Sequence, residues 1–189
     1  MNVMMLSLMY PEDTKKQVAR DVKDKLQNQI NSYQRAFAEG IRANLQTGER
    51  LDIVNSLPVG VFPLQYRRPV ISSGWHDGHT MYELGCFNLP GIKQRGRARR
   101  AARQLAAWCA QDPSNRVVLM YTMYLPYLEA VARVRRRYPD LKACVIVTDL
   151  PNELGLASGR KGLLKRIEYA RGRRSMALCR SMDAFVLLT

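Results

Sequence analysis

The chain has no phosphate-binding fingerprint. Its first apolar segment is not followed by G-x-G-x-x-G, and no G-x-x-x-x-G-K-[ST] occurs. A dinucleotide cofactor on the first strand and a P-loop nucleotide hydrolase are therefore disfavoured, and no cofactor is expected. No G-x-S-x-G elbow is present, and a catalytic triad would have to draw on His76 or His79, which are the whole histidine content. Those two lie three apart in HDGH with no third ligand cluster, so no metal site is expected. Cys86, Cys109, Cys144 and Cys179 are far apart in the chain. That spacing is neither a disulfide framework nor a zinc pattern, and it fits a reducing cytosol. No window approaches the ~18 apolar residues of a spanning helix. The opening MNVMMLSLMYP has no basic leader and reads as a strand rather than a signal peptide. Any membrane contact would be peripheral, which points to a cytoplasmic protein, at most bound to the inner face of a membrane.

What the chain does have is one-sided charge. Its 189 residues carry a net +14, with 22 arginines against 8 lysines. Residues 1–90 hold 10 basic and 9 acidic side chains, whereas residues 91–189 hold 20 and 7. A basic half suits a polyanionic partner such as nucleic acid, anionic lipid or a phosphorylated ligand. It also suits a solvated arginine-rich surface with no partner.

The clearest pattern is residues 116–151, RVVLMYTMYLPYLEAVARVRRRYPDLKACVIVTDLP. Two apolar runs, 117–120 and 143–147, read as strands buried on both faces. Between them Tyr127, Leu128, Val131, Val134 and Tyr138 recur at helical spacing. This is a βαβ unit with a right-handed crossover, and such units bind ligands beyond the carboxyl ends of their strands. Upstream, a strand is expected at 3–9, a loop lengthening into helix at 12–25, and a helix from Leu26 to about Thr47. Leu26, Ile30, Tyr33, Phe37 and Ile41 form the stripe of that helix. A strand at 51–57 follows, then short strands at 69–72 and 82–87 around the loop GWHDGH. Residues 93–110 predict a helix with Ala98, Ala101, Ala102, Leu105, Trp108 and Cys109 inward and Arg99, Arg100 and Arg103 outward. A last helix at 161–181 should bury Leu163, Ile167, Ala170 and Leu178. The run at 184–188 is expected to be a central, buried strand. Because complete domains rarely end on such a strand, residues 1–189 are expected to be the amino-terminal part of a longer protein. The alternation predicts a single α/β domain, a three-layer sandwich with a mainly parallel central sheet.

Few residues stand out as chemistry. Tyr124 and Asp149 follow adjacent strands of the βαβ unit and aim at one crevice. Asp149 can accept hydrogen bonds from sugar hydroxyls, or simply cap the turn before Leu150-Pro151. Tyr124 can likewise contact ligand or pack at the start of its helix. His76 and His79 can donate hydrogen bonds from a polar rim loop. The run RGRARRAAR at 95–103 lacks interleaved aromatics for base stacking, which disfavours nucleic acid. Arg99, Arg100 and Arg103 form either a plain solvated face or a face toward an anionic membrane, where each basic group contributes on the order of 1 kcal/mol.

Taken together, these segments resemble a family. QNQINSYQRAFAEGI at 27–41, SLPVGVFP at 56–63, NLPGIKQ at 88–94, VVLMYTMYLPYLEAV at 117–131, YPDLKACVIVTDLP at 138–151 and SMDAFVLLT at 181–189 occur in an order and spacing similar to family 4 glycosyltransferases. The likeness is to the amino-terminal domain of the bacterial members that build exopolysaccharides and other surface glycans. It implies a Rossmann-like domain forming the amino-terminal, acceptor-side half of a GT-B fold. It also implies a hexosyltransferase that acts with retention and without metal, inactive as this piece alone. The nucleotide-sugar donor would be held mainly by a carboxy-terminal domain with an E-x7-E motif, which these residues do not contain. The acceptor would be a glycan or a lipid-linked glycan. By the same resemblance Asn28 and Gln29 open the helix facing the cleft, and Asp149 matches a D-x-P pattern. Two features depart from it: Tyr124 stands where relatives often place histidine, and the glycine pair after the first strand is missing. The rival reading is a basic α/β module that binds nucleic acid or another polyanion without catalysis; a third is a small stand-alone interaction protein.

Overall fold

The structure, a computed structural model, describes residues 1–111, 115–148 and 163–187. Along the chain run β1 (Asn2–Ser7), α1 (Lys15–Asp21), α2 (Asn28–Asn44), β2 (Arg50–Asn55), β3 (Val70–Ile71), β4 (Gly74–His76), β5 (Met81–Glu83) and β6 (Cys86–Phe87). Then come α3 (Ile92–Gln111), β7 (Arg116–Tyr121), α4 (Leu125–Arg135), β8 (Lys142–Val147), α5 (Leu163–Cys179) and β9 (Ala184–Leu187). Seven strands form one sheet in the order β4-β5-β2-β1-β7-β8-β9, parallel except for β4. β3 and β6 form a separate antiparallel ribbon. The chain is a Rossmann-like three-layer α/β sandwich.

Strands apolar on both faces must be covered on both. β1 sits at the centre, paired to β2 and β7, with Val3 to Ser7 all buried. On one face Leu6, Val118, Met120, Ala143 and Val145 meet Ala101, Leu105 and Trp108 of α3 and Tyr127, Leu128 and Val131 of α4. On the other, Met5, Ile53 and Met81 pack under Ala38 of α2. A smaller core of Tyr10, Val18, Leu57, Val59, Tyr66 and Ile71 lies beneath α1 and the loops after β2.

The βαβ unit β7-α4-β8 forms as the pattern predicts. The 12–25 segment, expected as a loop lengthening into helix, carries a short helix, α1. Four expectations are corrected. The first three residues of GWHDGH are strand β4, on the sheet edge. The 82–87 run splits between the main sheet and the ribbon at Leu84-Gly85. Gly85 is required there, because a Cβ would lie 2.5 Å from the Ser73 backbone nitrogen. α5 buries Gly172, Ser175 and Cys179, not the face carrying Ile167 and Ala170; Ile167 is 39% exposed. Arg174 on the expected face already opposed its burial. β9 is the outermost strand among the described residues rather than a central one, with Phe185 and Leu187 exposed. Among those residues no helix is long and apolar enough to cross a membrane.

The edge where the parallel strands end is held by a buried amide. Asn55 Oδ1 accepts from Ser7 Oγ at 2.9 Å and from the Met9 amide at 2.7 Å. Its Nδ2 donates to the Met9 carbonyl at 2.9 Å and to Glu83 Oε2 at 2.6 Å. Asn55→Ala would leave several buried groups unpaired, each worth roughly 1–3 kcal/mol. We expect a loss of about 3 kcal/mol in urea unfolding. A loss below about 1 kcal/mol would mean that the edge does not depend on this amide.

Candidate functional site

Strand order reverses at β1. Its crossover through α2 leads to β2 on one side, while β7 lies on the other. The loops after β1 and β7 therefore part, and open α/β sheets bind ligands in the crevice between such loops.

One wall is the loop after β1, Leu8-Met9-Tyr10-Pro11, which has no glycine turn. Side chains shape it instead. Gln34 of α2 pairs with Leu8 in both directions, accepting from its amide at 2.8 Å and donating to its carbonyl at 2.7 Å. Asn31 Oδ1 accepts from the Tyr10 amide at 2.8 Å. The central buried line of α2 is thus Asn31, Gln34 and Ala38, with Ile30, Tyr33, Phe37 and Ile41 half-buried beside it. Asn28 and Gln29 do open the helix, but both are exposed and neither is in this clamp.

The other wall is the turn after β7. Thr122 has φ 61°, and a β-branched residue there is strained. Its amide still extends the ladder to the Ile146 carbonyl at 2.9 Å, and Thr148 Oγ1 reaches Thr122 Oγ1 at 3.3 Å. Tyr124 then caps α4, with Pro126 in its first turn. Its hydroxyl donates to Gln94 Oε1 at 2.6 Å and accepts from the Arg97 guanidinium at 2.9 Å. Its ring meets Tyr127 edge-on at 5.1 Å.

Arg97 is the functional candidate that sequence reasoning missed. It is 3% exposed and also donates to the Leu57 carbonyl, while its Nε has no partner. One turn earlier Lys93, equally buried, donates to the carbonyls of Val59 and Gly60. The signal was present: residues 93, 97, 101 and 105 are spaced by four and continue the buried stripe of α3 toward its start. The tyrosine that stands where the resemblance expects a histidine thus has the buried Arg97 guanidinium bonded to its hydroxyl, which places a positive charge beside it.

Beneath lies Glu83. It accepts from the Leu57 amide at 2.8 Å and from Asn55. Burial pushes its carboxyl up from 4.5 to about 8, against the Leu57 amide, Arg97 and Asn55, which favour the ionised form. Burial, together with the neighbouring Arg97, pushes the Lys93 ammonium down to about 7.

The remaining sequence candidates sit elsewhere. His76 Nδ1 lies 3.0 Å from Asp13 Oδ1, and Asp77 accepts from the Glu12 amide and from Arg35, each at 2.8 Å. His79 is exposed at φ 65°, its ring 6.2 Å from Trp75. This turn braces the segment after β1 and is not bonded to Tyr124. No group of three metal-ligating side chains occurs among the described residues. Arg99 and Arg103 face a groove between α3 and α4, whereas Arg100 lines a different one beside Tyr82. Asp149 lies outside the described residues. No protein-family model matches the chain, and no curated protein matches it.

A buried carboxyl that keeps its proton to about pH 8 is deprotonated near 4.5 in the unfolded chain. The folded state then binds more protons in that window, so stability falls as pH rises through it. Above about pH 7 Lys93 adds an opposite slope. Glu83→Gln should remove the decline between about pH 5 and 7. The new amide N–H faces donors, so a pH-independent penalty is expected alongside. Urea unfolding across that range gives the slope; parallel curves for the two proteins would show that Glu83 is ionised throughout.

Proposed function

We propose that residues 1–189 are the acceptor-side domain of a retaining GT-B-type hexosyltransferase. A glycan or lipid-linked acceptor enters the crevice between the loops after β1 and β7. The nucleotide-sugar is held mainly by a second domain outside this sequence. The observation that carries the reading is the Tyr124–Arg97–Gln94 cluster at the switch point of a parallel sheet. The sequence resemblance supports it.

The chemistry asked of these residues is positioning and electrostatics. The donor loses a nucleotide diphosphate through an oxocarbenium-like state, and the acceptor hydroxyl must be held in line. A ligand oxygen can replace Gln94 as the acceptor of the Tyr124 proton, while Arg97 stays fixed by Leu57 and keeps the hydroxyl polarised. Arg97 supplies positive potential toward leaving phosphates without losing its own buried bonds. The domain needs no metal in this scheme.

The test is turnover of nucleotide-sugars by the protein together with whatever its gene encodes beyond residue 189. Release of nucleoside diphosphate with a glycan acceptor is expected. Tyr124→Phe should lower kcat/KM by about tenfold, the effect of losing one positioned hydrogen bond, and should cost roughly 1–3 kcal/mol in urea unfolding because an Arg97 N–H loses its acceptor. Absence of turnover across the common nucleotide-sugars would overturn the reading in favour of a binding module.

A further inference from the structure

The exposed faces of α3, α4 and α5 enclose a groove of about 450 Å³ that continues into a second of about 230 Å³. Arg95, Arg99 and Arg103 line it from α3, one per turn, and Arg133 of α4 faces them together with Arg136 and Arg137 of the turn that follows it. Among the described lining residues Glu129 is the sole carboxylate, and Arg174 of α5 already pairs with it at 2.8 Å. Like charges on facing helices repel, so this arrangement favours an anion between them. The apolar lining between them is Ala98, Ala102, Ala106 and Ala132 with Val134 and Leu178.

We infer that this face is a docking surface for the anionic headgroups of a phospholipid bilayer. Two observations favour lipid over nucleic acid. The one aromatic lining the groove, Tyr138, is half-buried beneath the guanidinium groups of Arg116 and Arg137, so no open ring is offered for base stacking. α5 also leaves apolar side chains exposed among its arginines. Ile167, 39% exposed, lies on the same face as Arg174 and Leu178, while Tyr169 and Met176 are exposed on the opposite side of the helix. Basic groups interspersed with a few apolar side chains suit the headgroup boundary of an anionic leaflet. The groove begins at Arg95, next to Gln94 of the crevice, so a bilayer on this face would bring a lipid-linked acceptor close to Tyr124.

The test is co-sedimentation with vesicles of phosphatidylcholine alone and of phosphatidylcholine with phosphatidylglycerol. Binding should require phosphatidylglycerol and weaken with salt. The variant R99Q/R103Q/R133Q/R136Q should bind at least about tenfold more weakly. A charge-matched control, K16Q/R20Q/R42Q/R67Q, on the exposed surface of α1, α2 and the loop after β2, should lose far less. Circular dichroism confirms that both variants fold. Equal losses in the two variants, no preference for phosphatidylglycerol, or groove-dependent binding to duplex DNA that outcompetes the vesicles would each overturn the proposal. The readout is binding, not turnover, so its failure leaves the glycosyl-transfer reading standing, and the reverse also holds.

Discussion

The carboxyl ends of β1, β2 and β5 are held together by one amide satisfied four times. Asn55 joins the ends of β1 and β5 through Ser7, Met9 and Glu83. Backbone bonds continue the same lattice, from the Ser56 amide to the Ser7 carbonyl and from the Leu84 amide to the Asn55 carbonyl. A buried polar network of this kind specifies geometry only when every member is paired. Here it replaces the glycine turn that other doubly wound sheets use to bring a phosphate close. Side chains, not a bare backbone, therefore meet whatever enters the crevice.

The electrostatics follow from that burial. Lys93 and Arg97 are drawn inward because the loop after β2 offers them carbonyls, and Glu83 sits below as a carboxyl that burial keeps from ionising. With Glu83 neutral, the buried charge near Tyr124 is positive. Rigid placement adds to this, since Arg97 is tied at both ends and has little freedom to reorient. Such a group is useful toward developing negative charge, because it needs no reorganisation when that charge appears.

The sheet was legible from sequence because its central strands are apolar on both faces, and the β7-α4-β8 unit shows this most plainly. The site was less legible because its residues violate the pattern that reveals the fold. Asn31 and Gln34 occupy the buried line of α2, where apolar spacing pointed to the flanking Ile30 and Tyr33. Lys93 and Arg97 are charged groups on a buried stripe, and charge in a basic run reads as solvated by default. α5 misled for the opposite reason: its apolar residues are exposed, and its contacts use Gly172, Ser175 and Cys179. Spacing locates a face, but it does not say which polar groups a loop's carbonyls and amides will pull into it.

α3 joins the two surfaces that carry the functional readings. Its positions 93 and 97 point inward to the crevice, and positions 95, 99 and 103, offset by two residues, point outward to the groove. A helix of 3.6 residues per turn places those two sets on nearly opposite sides. The same arginine-rich run thus serves two environments that differ in kind. Inside, cations are fixed one at a time by carbonyls and a tyrosine; outside, they stand in a row with little acidic compensation. Mutations within residues 93–103 should therefore not act alike, because the inward pair supports the crevice loops and the outward row does not touch them.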